Sequence, residues 1–280
     1  SVSGLDLFNA VFSPLFFPSY KVPSPYCYRC PMKKEKPTCA IDCIKPLERL
    51  LENKHREVCA IIIEPLVMAA GGMIVYPKEY LEKVAGLAKK YKVHLILDEV
   101  ATGFGRTGKM FAYEHLPGIE TDFLCLSKGI TSGYLPLAVT LTTEEIYSKF
   151  YGDYEKRKTF FHGHTYTANP VACSAALASL GIFKEEKTLE KVKMLMPFFQ
   201  QGLEEFRSLA LVGDVRYIGL IGAMELVKHK KTKEGFGLKK RLGLEVYRRG
   251  LKENLVLRPL GDIIYLFLPL CVRKPEIEDI

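Results

Sequence analysis

The sequence predicts an α/β fold, in which a mainly parallel β-sheet is flanked by helices and followed by a smaller α+β domain. Two observations support this prediction. Apolar, β-prone runs at residues 58–63, 95–97 and 123–126 are too short to form helices and have the composition of buried strands. Between the first two runs, residues 78–91 carry apolar side chains at helical spacing. Strand, helix and strand in this order predict a parallel βαβ unit with a right-handed crossover.

The flanking segments are assigned in the same way. Residues 1–45 are rich in proline and aromatic side chains without a clear period, so we expect a mostly irregular segment. A helix is predicted at 44–53 and a further strand at 135–142. Asn169 followed by proline is typical of a helix start, and the alanine-rich stretch 170–180 continues that helix.

A change to charged composition around residue 186 predicts a domain boundary. We therefore expect a large domain at 1–186 and a small C-terminal domain at 187–280. The small domain begins with a helix at 189–206, kinked or split at Pro197. Its other predicted elements are strand-like stretches at 214–226, 255–258 and 263–268, and a helix at 238–249.

Two of the predicted strands end on charged residues. The first ends at Asp98, and the second leads into Ser127 and Lys128. Ligands of open α/β sheets gather at the carboxyl ends of parallel strands, so these side chains are candidates for one site. A largely buried Asp98 would need a cationic partner, and an apolar setting would favour a neutral, nucleophilic Lys128. This combination suits pyridoxal phosphate (PLP), but spacing alone leaves a structural ion pair between Asp98 and Lys128 equally open.

The surrounding motifs favour the first interpretation. Asp98-Glu99-Val100, the glycine-rich loop at 102–108 and Ser127-Lys128-Gly129 follow one another in order. The stretch resembles the class III (ornithine/GABA-type) aminotransferases, which are PLP-dependent enzymes of fold type I. The resemblance implies that Lys128 holds the cofactor and later transfers a proton. It also implies that Asp98 keeps the ring nitrogen protonated and that Val100 packs on the ring face.

A second motif, His162-Gly163-His164-Thr165, precedes the predicted helix start. In the family the threonine binds the PLP phosphate of the neighbouring subunit, and the adjoining residues help to line the substrate site. The resemblance therefore implies cofactor-binding roles for Thr165 and His164, a substrate-binding role for Gly163, and a homodimer with shared active sites. Judged without the family, the motif is an ordinary turn before a capped helix.

Arg258 resembles the arginine of this family that binds a substrate carboxylate, although by itself it could be a surface arginine in a turn. The stretch at 23–31 resembles a subgroup of the family that acts in biotin synthesis. That subgroup transfers the amino group of S-adenosylmethionine to 8-amino-7-oxononanoate and forms 7,8-diaminononanoate. Two alternatives are another class III ω-amino-acid aminotransferase and a non-catalytic fragment of such an enzyme. We expect no catalytic role for Glu64 in its Glu-Pro pair.

Composition limits the other function classes. The chain has 280 residues, 48% of them hydrophobic, and a net charge of +8. Basic residues are not interleaved with stacking aromatics and no apolar run approaches a membrane span, so we expect neither nucleic-acid nor membrane binding. Eight cysteines in a chain of this length favour a reducing cytoplasm over a secreted disulfide framework. Four of them, Cys27, Cys30, Cys39 and Cys43, have spacings that zinc could use, although partly buried free thiols explain them as well.

Both ends of the sequence predict a truncated chain. It starts at Ser1 without methionine, and it closes on Lys274-Pro275 and acidic residues that resemble the first turn of a helix. The family carries a longer N-terminal portion, which includes a phosphate-binding loop. The expected fragment would therefore hold only part of an active site.

Overall fold

The computed structural model describes residues 1–35, 38–237 and 239–280. Its strands in chain order are β1 (Ala60–Ile63), β2 (Val67–Met68), β3 (Ile74–Val75), β4 (His94–Asp98), β5 (Phe123–Leu126), β6 (Val139–Thr142), β7 (Val212–Ile218), β8 (Ile221–Leu226) and β9 (Ile263–Phe267). Its helices are α1 (Asp6–Asn9), α2 (Lys45–Lys54), α3 (Lys78–Tyr91), α4 (Glu144–Tyr147), α5 (Pro170–Glu185), α6 (Thr188–Glu205), α7 (Leu242–Lys252) and α8 (Lys274–Glu278).

The larger sheet has the strand order β1-β4-β5-β6. The first three strands are parallel, and β6 joins β5 antiparallel. This confirms the predicted βαβ unit and the mainly parallel sheet. The strand predicted at 135–142 is shorter than expected, because only its last four residues pair with β5.

Helix α3 supplies the crossover between β1 and β4, with the small antiparallel β2–β3 hairpin preceding it. Its apolar stripe is buried, with Leu81, Val84 and Ala88 each at most 4% exposed. Lys92 ends the helix in the left-handed region (φ 54°), and the Val93 N–H donates to the Ala88 carbonyl oxygen. The chain therefore turns directly from the helix into β4.

The C-terminal part contains an antiparallel sheet of order β7-β8-β9. The apolar stretch predicted at 214–226 forms a hairpin that turns at Gly219 (φ 60°). A Cβ at this position would overlap the Arg106 carbonyl oxygen, so glycine is required here.

Several predicted boundaries are corrected. The strand predicted at 255–258 is wrong, because these residues belong to no helix or strand, although Leu257 is buried among them. The alanine-rich helix continues to Glu185, and α6 runs through Pro197 without a break. The helix predicted from residue 238 begins at Leu242 in α7, and Leu238 itself lies outside the described residues.

Buried apolar side chains form two main clusters, one drawn from residues between 44 and 176 and one from residues between 192 and 272. A smaller cluster joins the β2–β3 hairpin to β8 through residues such as Val67 and Ile221. These clusters support the predicted division near residue 186, which remains a proposal.

A buried polar network ties three distant segments together. Arg216, 7% exposed, donates to the carbonyl oxygens of Gly72 (2.6 Å) and Met73 (2.7 Å) and pairs with Glu225 at 3.3 Å. Glu225 also accepts hydrogen bonds from the Tyr26 hydroxyl and from Arg29 Nε. The irregular N-terminal segment is therefore anchored to the C-terminal sheet.

Within the part of the chain that the structure describes, none of the helices combines the length and the apolar character needed to cross a membrane.

Candidate active site

Three charged residues meet at the carboxyl edge of the parallel strands. Glu64 follows β1, Asp98 ends β4, and Lys128 comes two residues after β5. The register aligns Ile63 with Leu97 and Asp98 with Cys125. The ends of β1, β4 and β5 therefore lie side by side, as the strand-end argument predicted for Asp98 and Lys128.

Asp98 is partly exposed rather than largely buried as predicted. Its Oδ1 accepts the Val100 N–H at 3.1 Å, which fixes the carboxylate at the strand end. On the next strand, burial raises the pKa of the Cys125 thiol, and the negative charge of Asp98 acts in the same direction. Asp98 is thus an oriented carboxylate, still accessible to a cationic ligand group. Val100 is half-buried beside it, in a position compatible with its predicted packing role.

Lys128 is exposed, which corrects the apolar setting expected from its sequence neighbours. It opens a short 3₁₀ helix, Lys128–Thr131, with a backbone in the left-handed region (φ 45°). Residues other than glycine rarely adopt this conformation, and such strain occurs often at functional sites. The preceding turn is fixed by Ser127 Oγ, which donates to the Leu137 carbonyl oxygen at 2.7 Å.

Glu99 anchors the glycine-rich loop beneath these residues. Its carboxylate is fully buried and accepts hydrogen bonds from Thr102 Oγ1 (2.7 Å), the Ala112 N–H (2.9 Å) and the Tyr113 N–H (2.9 Å). Burial raises the pKa of this carboxyl, while the three donors favour its charged form. Glu99 therefore holds both ends of the loop together and has a structural role.

The loop also contacts the C-terminal sheet and the turn that contains Lys128. Arg106 donates to the Leu268 carbonyl oxygen and lies over the Phe267 ring, with its guanidinium carbon 5.0 Å from the ring centroid. A Cβ at Gly129 would lie 2.8 Å from Cβ of Phe104, so the glycine after Lys128 allows the loop to pack closely.

Glu64 was not predicted as a site residue. Its Oε2 accepts the Ala69 N–H at 3.0 Å. Burial raises the pKa of Glu64 to about 6, and the Asp98 charge adds to the rise, whereas the Ala69 N–H and the Lys128 charge lower it. The Glu-Pro pair after a predicted strand was the available signal, but only the register shows that this carboxyl neighbours Asp98.

The second motif lies at the surface. Gly163, His164 and Thr165 are all exposed between β6 and α5. The Tyr166 N–H donates to His164 Nδ1 at 3.1 Å, and the backbone N–H of His164 donates to Thr167 Oγ1 at 2.9 Å. Their contacts are thus local to the turn, and their predicted cofactor and substrate roles remain predictions. The helix start is confirmed, because Asn169 Oδ1 accepts the N–H groups of the next two helical residues that have one.

Arg258 is also exposed, and it lies in a separate open pocket of the C-terminal part. This pocket is lined by apolar and aromatic side chains together with a second arginine, among them Phe236, Arg241, Tyr247 and Val256. Neither Asp98 nor Lys128 lines it. The predicted carboxylate-binding role of Arg258 therefore remains a prediction.

The four cysteines with possible zinc spacing, Cys27, Cys30, Cys39 and Cys43, line one small cavity. Burial raises the pKa of the Cys43 thiol to about 11, and the charges of the other three thiols act in the same direction. Among the described residues, there is no group of three or more His, Cys, Asp or Glu side chains that could hold a metal ion. The zinc interpretation and the free-thiol interpretation therefore both remain predictions.

Asp98 and Lys128 fit the two reactive ends of PLP. An oriented, accessible carboxylate suits a protonated ring nitrogen, and an exposed amine two residues after the neighbouring strand suits an aldehyde carbon. The phosphate group of PLP has no comparable partner at these strand ends among the residues discussed, because its predicted ligand Thr165 lies on the exposed turn described above.

Comparison with known proteins places this geometry in a family. The sequence profile described as aminotransferase class-III matches residues 1–280. An adenosylmethionine-8-amino-7-oxononanoate aminotransferase of Geobacter sulfurreducens is 47% identical over 279 residues, which are 99% of this chain and 61% of that protein. The protein of the same name from Aquifex aeolicus is 45% identical over 280 residues, which cover 99% of this chain and 61% of that protein.

Solved structures of transaminases also match the fold of this chain. The crystal structure of the adenosylmethionine-8-amino-7-oxononanoate aminotransferase of Methanocaldococcus jannaschii matches with a TM-score of 0.90 and 43% identity, over 99% of this chain and 61% of that one. A thermostable omega transaminase from Pseudomonas jessenii matches with a TM-score of 0.91 and 32% identity, over 100% and 62%. The chain thus spans about three fifths of the length of these relatives.

Proposed function

The chain belongs to the class III aminotransferases, and on this premise we propose that it functions in PLP-dependent transamination. The observation that carries the proposal is the alignment of Asp98 and Lys128 at the ends of two neighbouring parallel strands. When bound, PLP supplies a ring that accepts the electrons released at the carbon bearing the amino group.

Asp98 would face the ring nitrogen and keep it protonated. Its orientation is fixed beforehand by the Val100 N–H, so little reorganisation is needed when the cationic ring arrives. Asn at this position would preserve the shape and lose the charge. Val100 would pack against one face of the ring.

Lys128 would bind the aldehyde carbon and, once released by an amino donor, would move the proton at the reacting carbon as a general acid and base. Its exposure in the isolated chain leaves the amine free to reach a substrate. The strained backbone at this residue fixes where the side chain leaves the turn.

The remaining roles require a second subunit or the substrate. Thr165 and His164 would bind the cofactor of the partner in a homodimer, and Gly163 would line its substrate site. Their exposed position at the surface suits that arrangement. Arg258 would bind the substrate carboxylate through its planar guanidinium.

We propose 8-amino-7-oxononanoate as the amino acceptor and S-adenosylmethionine as the donor, in the synthesis of biotin in the cytoplasm. The identities of 45–47% to relatives of that name support this choice. A second candidate, transamination of other ω-amino compounds, is supported by the omega transaminase fold match at 32% identity. A non-catalytic fragment is the third, because the chain spans only part of its relatives.

Cofactor capture tests the proposal. The chain is mixed with PLP, its visible absorbance is recorded, and borohydride reduction is followed by peptide mass analysis. We expect a stable adduct on the peptide that contains Lys128 and its loss in Lys128→Ala, whereas Lys83→Ala, which removes an exposed lysine of α3, should retain it. An adduct that persists unchanged in Lys128→Ala would contradict the assignment.

Substrate assays separate the candidates. Formation of 7,8-diaminononanoate from 8-amino-7-oxononanoate and S-adenosylmethionine supports the role in biotin synthesis. Turnover with other ω-amino donors alone supports the ω-amino-compound transaminase. Binding of PLP without any turnover supports the non-catalytic fragment.

A further inference from the structure

The proposed function uses two of the three charged residues at the strand ends and leaves Glu64 unassigned. Ile63 pairs with Leu97, and Glu64 and Asp98 are the residues that follow this pair, with Glu64 just beyond the end of β1. Side chains at paired positions point to the same face of a sheet, and neighbouring strands are about 4.8 Å apart. The charges of Asp98 and Lys128 both act on the Glu64 carboxyl, so the three groups lie close together at this edge of the sheet.

Glu64 is held in place once through its side chain and once through its backbone. Its Oε2 accepts the Ala69 N–H at 3.0 Å, and its backbone carbonyl accepts the Tyr76 hydroxyl at 2.7 Å. The side chain is half-buried between Ile63 and Pro65, both of which are buried. It therefore cannot swing into solvent without breaking the turn after β1.

The charges around this carboxyl come from three elements. The negative charge of Asp98, at the end of β4, raises the pKa of Glu64, and the positive charge of Lys128, after β5, lowers it. The charge of Glu64 in turn contributes to the raised pKa of Tyr76, which follows β3. With all three site groups ionised, two carboxylates face one amine. With Glu64 neutral, Asp98 and Lys128 are balanced. Because the pKa of Glu64 is raised to about 6 by burial, the change between these states falls close to neutral pH.

We propose that Glu64 is a positioning residue of the candidate site, and that its ionisation controls how readily the Lys128 amine reacts. Ionised Glu64 adds a second negative charge near the Lys128 amine and slows its attack on a carbonyl carbon. Neutral Glu64 removes this restraint and leaves Asp98 as the single anion facing the bound ring. The inference deepens the proposed function, and only its cofactor experiment depends on that function.

A competing explanation is that Glu64 serves only as the acceptor that closes the turn through the Ala69 N–H. Glutamine at this position keeps an acceptor oxygen for that N–H and removes the charge. The Glu64→Gln variant therefore separates the two explanations.

The test is competitive acylation of the full chain without cofactor. Trace acetic anhydride is applied from about pH 5 to about pH 8, and mass spectrometry gives the acylation of Lys128 relative to the exposed Lys83. In the wild type we expect this ratio to fall as Glu64 ionises. In Glu64→Gln the ratio should stay level and, at about pH 8, exceed the wild-type ratio by roughly three- to tenfold, the effect of one nearby charge.

The control is Glu52→Gln, which removes an exposed carboxylate on α2 and should keep the wild-type profile. Equal ratios in the wild type and Glu64→Gln at every pH would overturn the proposal, as would an equal change in the control. Should Glu64→Gln fail to fold by circular dichroism, the wild-type profile decides, because a level ratio alone overturns the proposal.

A second measurement uses PLP. The pH at which the visible absorbance of the lysine-bound cofactor changes should differ between the wild type and Glu64→Gln, and an identical pH would count against the role of Glu64. If no colour develops in the wild type, the proposed function fails, while the acylation result still decides the coupling between Glu64 and Lys128.

Discussion

Replacing Glu99 by glutamine tests whether the second acid of the Asp98-Glu99 pair is structural. The Glu99 carboxylate is fully buried and accepts three hydrogen bonds, two at Oε2 and one at Oε1. Glutamine has the same shape but only one acceptor oxygen. In either orientation its NH₂ group faces at least one backbone N–H that it cannot accept.

The number of hydrogen bonds that glutamine cannot accept sets the expected loss of stability. If the amide oxygen takes the place of Oε2, the Tyr113 N–H loses its partner, and in the reverse orientation Thr102 and Ala112 lose theirs. Leaving one buried donor unsatisfied costs about 1–3 kcal/mol, and losing a bond to a charged group raises the figure towards its upper end. We therefore expect Glu99→Gln to lower the free energy of unfolding by about 2–3 kcal/mol. For a chain of 280 residues this corresponds to a fall in Tm of about 3–5 °C.

Thermal unfolding followed by circular dichroism measures the change. The matched control is Glu114→Gln, because Glu114 is exposed and its Oε2 accepts the Phe111 N–H at 3.3 Å. We expect the control to change stability by less than about 0.5 kcal/mol. Equal stability of Glu99→Gln and the wild type would refute the assignment of Glu99 as the anchor of the loop.

Three further predictions follow from other sites. Folding raises the pKa of Glu64 from 4.5 to about 6, so its contribution to stability is complete below pH 4.5 and is lost as pH rises through 6. In urea titrations Glu64→Gln should therefore gain up to about 2 kcal/mol on the wild type at pH 8, and a constant difference at all pH values would contradict this. Gly219→Ala should destabilise by more than about 2 kcal/mol in the same titrations, because its Cβ meets the Arg106 carbonyl, whereas Gly237→Ala, in open space, should change little. Arg216→Leu should cost about 3–5 kcal/mol, because it removes a buried ion-pair partner from both Asp214 and Glu225 and the donors to two backbone carbonyl oxygens, and a loss under about 1 kcal/mol would show that the remaining partners satisfy these acceptors alone.

Local periodicity was sufficient to predict the central elements of the fold. The helix predicted at 78–91 matches α3 at both ends, because its apolar side chains at helical spacing and the strands on either side of it agree. The strand predicted at 255–258 failed because a short apolar run does not reveal whether a partner strand exists. Leu257 is buried by side-chain packing without any ladder.

The candidate site was predictable to the same limited extent. Asp98 ends β4 and Lys128 follows the end of the neighbouring strand β5, so the rule that sites form at the carboxyl ends of parallel strands was enough to place them at one edge. The neighbourhood of Glu64 depends on the register of β1 against β4, which a single sequence does not specify. The exposure of Lys128 was missed because the strand that precedes it is apolar, while the turn that carries it depends on its unusual backbone conformation.

The network around Glu225 has a consequence for synthesis on the ribosome. Tyr26 and Arg29 emerge first, but their acceptor lies 199 and 196 positions later. At roughly 5–20 residues per second, the segment that carries four of the eight cysteines waits about 10–40 s for its anchor. During that interval Tyr26 and Arg29 lack the carboxylate that anchors them, so this part of the emerging chain is more open to oxidants and proteases than in the finished protein.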